Sequence, residues 1–301
     1  VIEHDFERDS VASLPRDFTT VYHAAAATDF DLALPVARRK NVRSTLQMLQ
    51  LARSCPHLLR FVHFSTAFVA GNAKGLVDED YQPVAFNNSY EQTKWESELA
   101  VKAAGIPFTI LRPSIITGSS DFGYVVGLKV IYSVVRLWLS GILPRAPVNP
   151  NEMVDIVPID FVVNAALAVA DCPEAEGQIY NATVGQAVQN KRIIEQAMLT
   201  FGIPEPRYVP IWVAKFLRTH WGRYFTTHNV REALELMKWH IPYLGLGHKR
   251  FDNRKLRHLL LQQQVPTPDF AEFGPHMFRF CQETSWGRRA TKSKEAQFVP
   301  A

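Results

Sequence analysis

A chain of 301 residues can hold one full core with a smaller lobe appended. Hydrophobic residues make up 47%, charged residues 21%, and the formal charge is +4, which together exclude a disordered chain and a nucleic-acid-binding arm. Cys55, Cys172 and Cys281 are too far apart for a disulfide or zinc framework, and the ten histidines form no metal-binding pattern, so a reducing cytoplasmic setting and no metal are expected.

Val1-Ile2 followed by Asp5-Phe6 reads as a short strand ending in an acidic residue, so the chain is expected to begin inside a domain. Thr20 to His23 is a second strand running into small residues, Ala24, Ala25 and Ala26, which let a ligand approach the backbone. Residues 34–54 read as a helix with Val42, Leu46, Leu49 and Leu51 near the helical period. Residues 58–64 form a near-continuous apolar run, as in a strand covered on both faces, and end in Ser65-Thr66-Ala67. A loop rich in Gly, Asp, Pro and Asn then leads to a helix over 88–104. Residues 107–111 are another apolar strand, ending in Arg112-Pro113-Ser114. This alternation predicts a doubly wound parallel sheet of Rossmann type, with ligands beyond the strands' carboxyl ends.

Further on, residues 123–140 are expected to be helical. Lys129 and Arg136 interrupt the apolar run over 124–143, so it reads as a buried helix and no transmembrane span is expected. A proline-rich loop follows, then a helix with Val163, Ala166, Leu167 and Ala170 on one side, a strand over 178–183 and a helix over 191–202. Trp212, Phe216, Trp221 and Tyr224 lie among basic residues and are assigned to a substrate-side lobe, because aromatic stripes at helical spacing are usually core; an interfacial membrane face is the alternative. The division expected is a dinucleotide-binding domain over 1–185, with part of 123–160 facing substrate, a mostly helical C-terminal lobe over 186–284 and a disordered tail over 285–301.

Within the helix over 88–104, Tyr90 and Lys94 are four apart and share one face. A phenol beside an ammonium is a proton-donating pair, and the positive charge is expected to pull the tyrosine pKa down from about 10. The same spacing occurs on ordinary exposed helices. What surrounds it makes the case: Ser65, Thr66, Pro113 and the turn after His23 all fall at carboxyl ends of strands.

Taken together, His23-Ala24-Ala25, Asn41-Val42, Ser65-Thr66-Ala67, Tyr90-x-x-x-Lys94, Leu111-Arg112-Pro113 and Val157-Pro158-Ile159-Asp160 resemble the extended short-chain dehydrogenase/reductases over residues 1–183. Asn88 to Lys94 with Glu98, and Val154 to Asn164, look most like the fatty acyl-CoA reductases and thioester reductase domains. The resemblance implies Tyr90 as general acid, Lys94 as its partner and ribose ligand, Thr66 as donor to the substrate carbonyl with Ser65 as rival, and Asn41 as the supporting fourth residue. It further implies that Asp5 and Phe6 contact the adenine, that His23, Ala24 and Ala25 pass the ribose-pyrophosphate, and that Pro113, Ser114 and Ile115 hold the carboxamide.

One departure stands out. No G-x-x-G-x-x-G turn precedes His23, and the strand order implies a missing central strand, so the chain is expected to be an N-terminally truncated piece of a longer reductase. The activity implied is reduction of an acyl thioester or related carbonyl, with NADP(H) preferred over NAD(H), a lipid-like small-molecule substrate and a homodimer through the Tyr90 helix. The rivals are an epimerase, dehydratase or hydroxysteroid dehydrogenase on the same skeleton, and a non-catalytic dinucleotide-binding scaffold.

Overall fold

The computed structural model describes residues 3–141, 145–185, 187–240, 243 and 249–287. The strands are β1 (Thr20–His23), β2 (Arg60–Phe64), β3 (Leu76–Val77), β4 (Phe108–Pro113), β5 (Ile115–Thr117), β6 (Arg145–Ala146), β7 (Met153–Val154), β8 (Ile156–Pro158), β9 (Gln178–Ala182), β10 (Val188–Gln189), β11 (Arg207–Tyr208) and β12 (Arg250–Phe251). Four of them, in the order β1-β2-β4-β9, form a parallel sheet. The remaining eight form two-stranded pairs.

Alternation along the strands sorts the core into two layers. Val21, Phe61 and Ile110 face α1 (Leu34–Arg53) and α2 (Ser89–Lys102), packing on Leu49, Ala52 and Val101. Val62, Leu111 and Tyr180 face the opposite way, onto α4 (Ile159–Asp171) and the helix Arg254–Gln262. Both faces are therefore covered, which is why the strands are apolar almost throughout. A third cluster joins β5, β8, α3 (Ile131–Leu139), α5 (Asn190–Phe201) and the helix Phe270–Glu283. The helices α6 (Ile211–Leu217) and α7 (His228–Met237) pack beside α3.

Several expectations need correction. The helix expected over 123–140 is helical only from Ile131, because Gly123 takes a positive φ of 65° against the His276 backbone, where a Cβ would collide. Val130, just ahead of the helix, also has a positive φ. On α4 the buried face is Phe161, Val162, Ala165, Ala166 and Val169, while Val163 and Leu167 lie about half exposed. Trp212, Phe216, Trp221 and Tyr224 are exposed and do not build a core. Asp5 is unpaired coil and Phe6 opens a turn, so neither extends a strand; Val1, Ile2 and the tail from 288 lie outside the described residues.

Candidate active site

Tyr90 is set by the way α2 begins. The Asn88 side chain accepts the Glu91 amide at 3.0 Å, which caps the helix. The Glu91 carboxylate reaches back to the Asn87 amide at 2.8 Å and accepts the Tyr243 hydroxyl at 2.7 Å. Tyr243 in turn accepts from Asn88 Nδ2 at 2.6 Å. Phe30 stacks on Tyr243 and lies against the Tyr90 ring, with centroids 4.9 and 5.7 Å apart. This network fixes the first turn of α2, and Phe30 carries it to the Tyr90 ring.

Near its hydroxyl stands Thr66, which follows Ser65 beyond the end of β2. Thr66 Oγ1 also caps the short turn Ala67–Ala70 by accepting the Phe68 amide at 3.3 Å, and it donates to the Pro113 carbonyl at 3.4 Å. Burial pushes the Tyr90 hydroxyl up to about 12; the nearby Thr66 hydroxyl opposes this and the Glu91 charge adds to it. The downward pull expected from Lys94 is not what governs the group, because desolvation wins. Lys94 is itself buried and drawn down to about 8, against the favourable charge of Glu98. No hydrogen bond to the Lys94 ammonium is found among the described residues, so this buried donor is free for a ligand.

Beneath Lys94 lie two histidines that sit directly opposite each other on β1 and β2, His23 and His63. Their rings are 5.4 Å apart. Thr45 Oγ1 gives its proton to the Asn41 carbonyl at 2.8 Å, so His23 Nε2, 3.1 Å from that oxygen, carries the proton between them. Burial and then Lys94 hold His23 down at about 3 and His63 well below its ordinary value. Both ring nitrogens of His63 are buried without a partner.

Among the described residues the Asn41 side chain makes no hydrogen bond to the Tyr90 or Lys94 side chain. Its side chain accepts the Ala27 amide at 2.7 Å and donates to the Ala27 carbonyl at 3.1 Å and Thr93 Oγ1 at 3.0 Å. It thereby locks α1, the loop after β1 and α2 together. Ala24 and Ala25 are exposed at the carboxyl end of β1, and Ser65 Oγ is buried without a partner. The amides of Ser114 and Ile115 are already bonded to Ala182 and Asp155 carbonyls, both at 3.3 Å. Asp5 spends its carboxylate on the Glu7 amide at 2.8 Å and an exposed pairing with Arg8, while Phe6 meets the His23 ring at 6.4 Å.

Three groups here were not singled out from sequence. His63 could have been found by pairing F-V-H-F against V-Y-H in register. Asp155, which burial raises to about 6 against the pull of the nearby Ser114 hydroxyl and the Val184 amide, comes from a distant strand connection. Glu91 and its Tyr243 partner lie 152 residues apart, beyond any local pattern.

The parallel sheet with helices on both faces, together with the family match over residues 5–166, makes this chain an extended short-chain dehydrogenase/reductase with a nicotinamide-dinucleotide-binding domain of Rossmann type. The chain belongs more particularly to the male sterility protein family, whose model matches residues 5–166, over half its length. Fatty acyl-CoA reductase 2 of Mus musculus is 28% identical over 201 residues, covering 56% of this chain and 39% of that protein. Glycine betaine reductase ATRR of Emericella nidulans is 24% identical over 215 residues, covering 68% of this chain and 17% of that protein. The chain thus spans less than half the length of either. Among solved structures, the terminal R domain of the myxalamid pathway superposes with a TM-score of 0.72 at 21% identity, covering 90% of this chain and 69% of that one. UDP-glucuronic acid 4-epimerase of Bacillus cereus, in complex with NAD, gives 0.67 at 18% identity, covering 93% and 79%.

Proposed function

We propose that this chain carries the catalytic centre of an NAD(P)H-dependent reductase acting on an acyl thioester of lipid type, with Tyr90 as general acid. The observation that carries the reading is the trio of Tyr90, Thr66 and the partnerless buried ammonium of Lys94. The nicotinamide-ribose end of the cofactor fits here: Lys94 has the free buried donor a ribose hydroxyl needs, and Ala24 and Ala25 leave the backbone approachable. The pyrophosphate end has no Gly-rich turn in this sequence to hold it.

A bound nicotinamide supplies hydride to the substrate carbonyl. Tyr90, kept protonated by burial, gives its proton to the carbonyl oxygen, and Thr66 Oγ1 can turn from the Pro113 carbonyl to donate to the same oxygen. Lys94 holds the ribose and supports the phenolate left behind. Reduction of a thioester this way yields a thiohemiacetal, which releases the thiol and an aldehyde. NADP(H) is the preferred cofactor in this reading. An apolar crevice of about 50 Å³ lies between α3 and α5, lined by Val134, Val135, Trp138 and Ile194; Tyr90, Lys94 and Thr66 are not among its lining residues.

The test is nicotinamide oxidation with NADPH and a long-chain acyl-CoA, in parallel for the parent and Tyr90→Phe. Consumption of NADPH by the parent alone is the expected result. Binding of NADPH without consumption, or conversion of a UDP-sugar with no net change in cofactor, would sink the thioester reading.

A further inference from the structure

Residues 207–231 include Arg207, Lys215, Arg218, Arg223 and Arg231 and contain no Asp or Glu. Within this basic stretch α6 buries Ala214 and sets Ile211 and Leu217 against Val134 and Leu137 of α3. Its other side carries Trp212, 64% exposed, and Phe216, 44% exposed. The turn that follows adds Trp221, Tyr224 and Phe225 at 72%, 71% and 76% exposure. These rings adjoin one another: Phe216 is 6.4 Å from Phe225, and His220 lies 6.0 Å from both Trp221 and Tyr224.

We propose that this face is a docking surface for an anionic lipid bilayer. Five large aromatics in water along fourteen residues are costly unless something covers them. Trp and Tyr, with apolar bodies and polar tips, settle at the headgroup boundary of a membrane. A run that is basic in sequence and free of Asp and Glu from residue 206 to 231 is complementary to anionic headgroups. Lys215 has no ion-pair partner among the described residues. On neighbouring α7 the Glu235 carboxylate is met by Arg218 and Lys238, each at 3.2 Å, and the exposed Glu232 lies 3.8 Å from His228, so the positive charge offered here rests on Lys215. The face stands on α3, whose Val134, Val135 and Trp138 line the apolar crevice, so a bilayer docked here lies one helix away from it. The docking itself does not depend on the reductase reading.

Flotation of the 301-residue chain with phosphatidylcholine vesicles, with and without phosphatidylserine, tests this. Expected are flotation with the phosphatidylserine vesicles, loss of it as salt is raised, and a blue shift of tryptophan emission. Trp212→Ser with Phe225→Ser should weaken binding about tenfold or more, and Lys215→Glu should weaken it while leaving the circular dichroism melt unchanged, since these side chains are exposed. No flotation with either vesicle, or equal flotation of parent and both variants, overturns the proposal. So does light scattering that shows a dimer split by the same variants with no vesicle binding, which would make the face a contact between copies.

Discussion

Tyr90 is subject to two opposing influences, and their balance sets its chemistry. Desolvation raises the hydroxyl to about 12 while the nearby Thr66 hydroxyl favours the anion, leaving a proton that departs only when an acceptor arrives. Tyr90→Phe should lower turnover by about 10²–10⁴-fold and leave the NADPH-induced rise in melting temperature in place, because ring packing against Phe30 is kept. Lys94 supplies a pH signature. Its folded value of about 8 lies below the ordinary 10.5, so between these values the folded chain holds fewer protons than the unfolded one and stability rises with pH. Cofactor affinity should run the other way, weakening as pH climbs through about 8 and the ammonium discharges. Lys94→Met should abolish both dependences, as read by NADPH titration and urea melts across that window.

At the scale of elements, α2 is fixed less by its apolar face than by polar joints at its two ends. Asn41 ties it to α1 and to the loop after β1, so Asn41→Ala removes the partner of the Ala27 amide and carbonyl, while the Thr93 hydroxyl keeps its bond to the Ser89 carbonyl. The expected cost is about 2 kcal/mol in urea unfolding, together with a fall in turnover as Lys94 loses its register over β1. At the far end Arg112 on β4 grips Glu98 with two hydrogen bonds of 2.9 and 2.7 Å, both side chains being almost wholly buried. Arg112→Met should destabilise by about 3–5 kcal/mol, since an unpaired carboxylate is left inside. The double change Arg112→Met with Glu98→Leu should recover most of that loss. If the double variant is no more stable than the single one, the pair has a role beyond neutralising itself.

For the molecule as a whole, the buried titratable groups set its tolerance of acid. His23 and His63 are held neutral when folded, so the stability tied to them is complete above about 6.5 and is lost as pH falls below it, for His23 down through about 3. Asp155 acts in the opposite sense: raised to about 6, it contributes stability that is present below 3.8 and lost as pH rises through about 6. Two histidines against one carboxyl give a net loss on acidification. The urea midpoint should fall as pH drops below about 6.5, and His63→Gln should flatten that fall. A midpoint unchanged over the window would mean the histidines are hydrated in solution.

Much of the frame could be read from local pattern. Apolar runs bounded by turns placed β1, β2, β4 and β9 and the helices between them, because alternation and helical period act over a few residues. The Tyr90–Lys94 pair, Thr66 and the small residues after His23 were legible for the same reason: each is a short-range motif at a strand or helix end. What tertiary structure alone decided concerns contacts between distant segments. The sign of the Tyr90 shift followed from how completely other elements exclude water, which no spacing records. The helix expected from residue 123 began only at Ile131, because the backbone of a helix more than a hundred residues further on presses against Gly123. The aromatics around Trp221 had the spacing of a core, yet α6 spends its inward face on Ala214 and leaves the rings outside. Sequence by itself determined which residues could share a face; only packing determined which faces would be covered, because burial depends on what the rest of the chain brings against them.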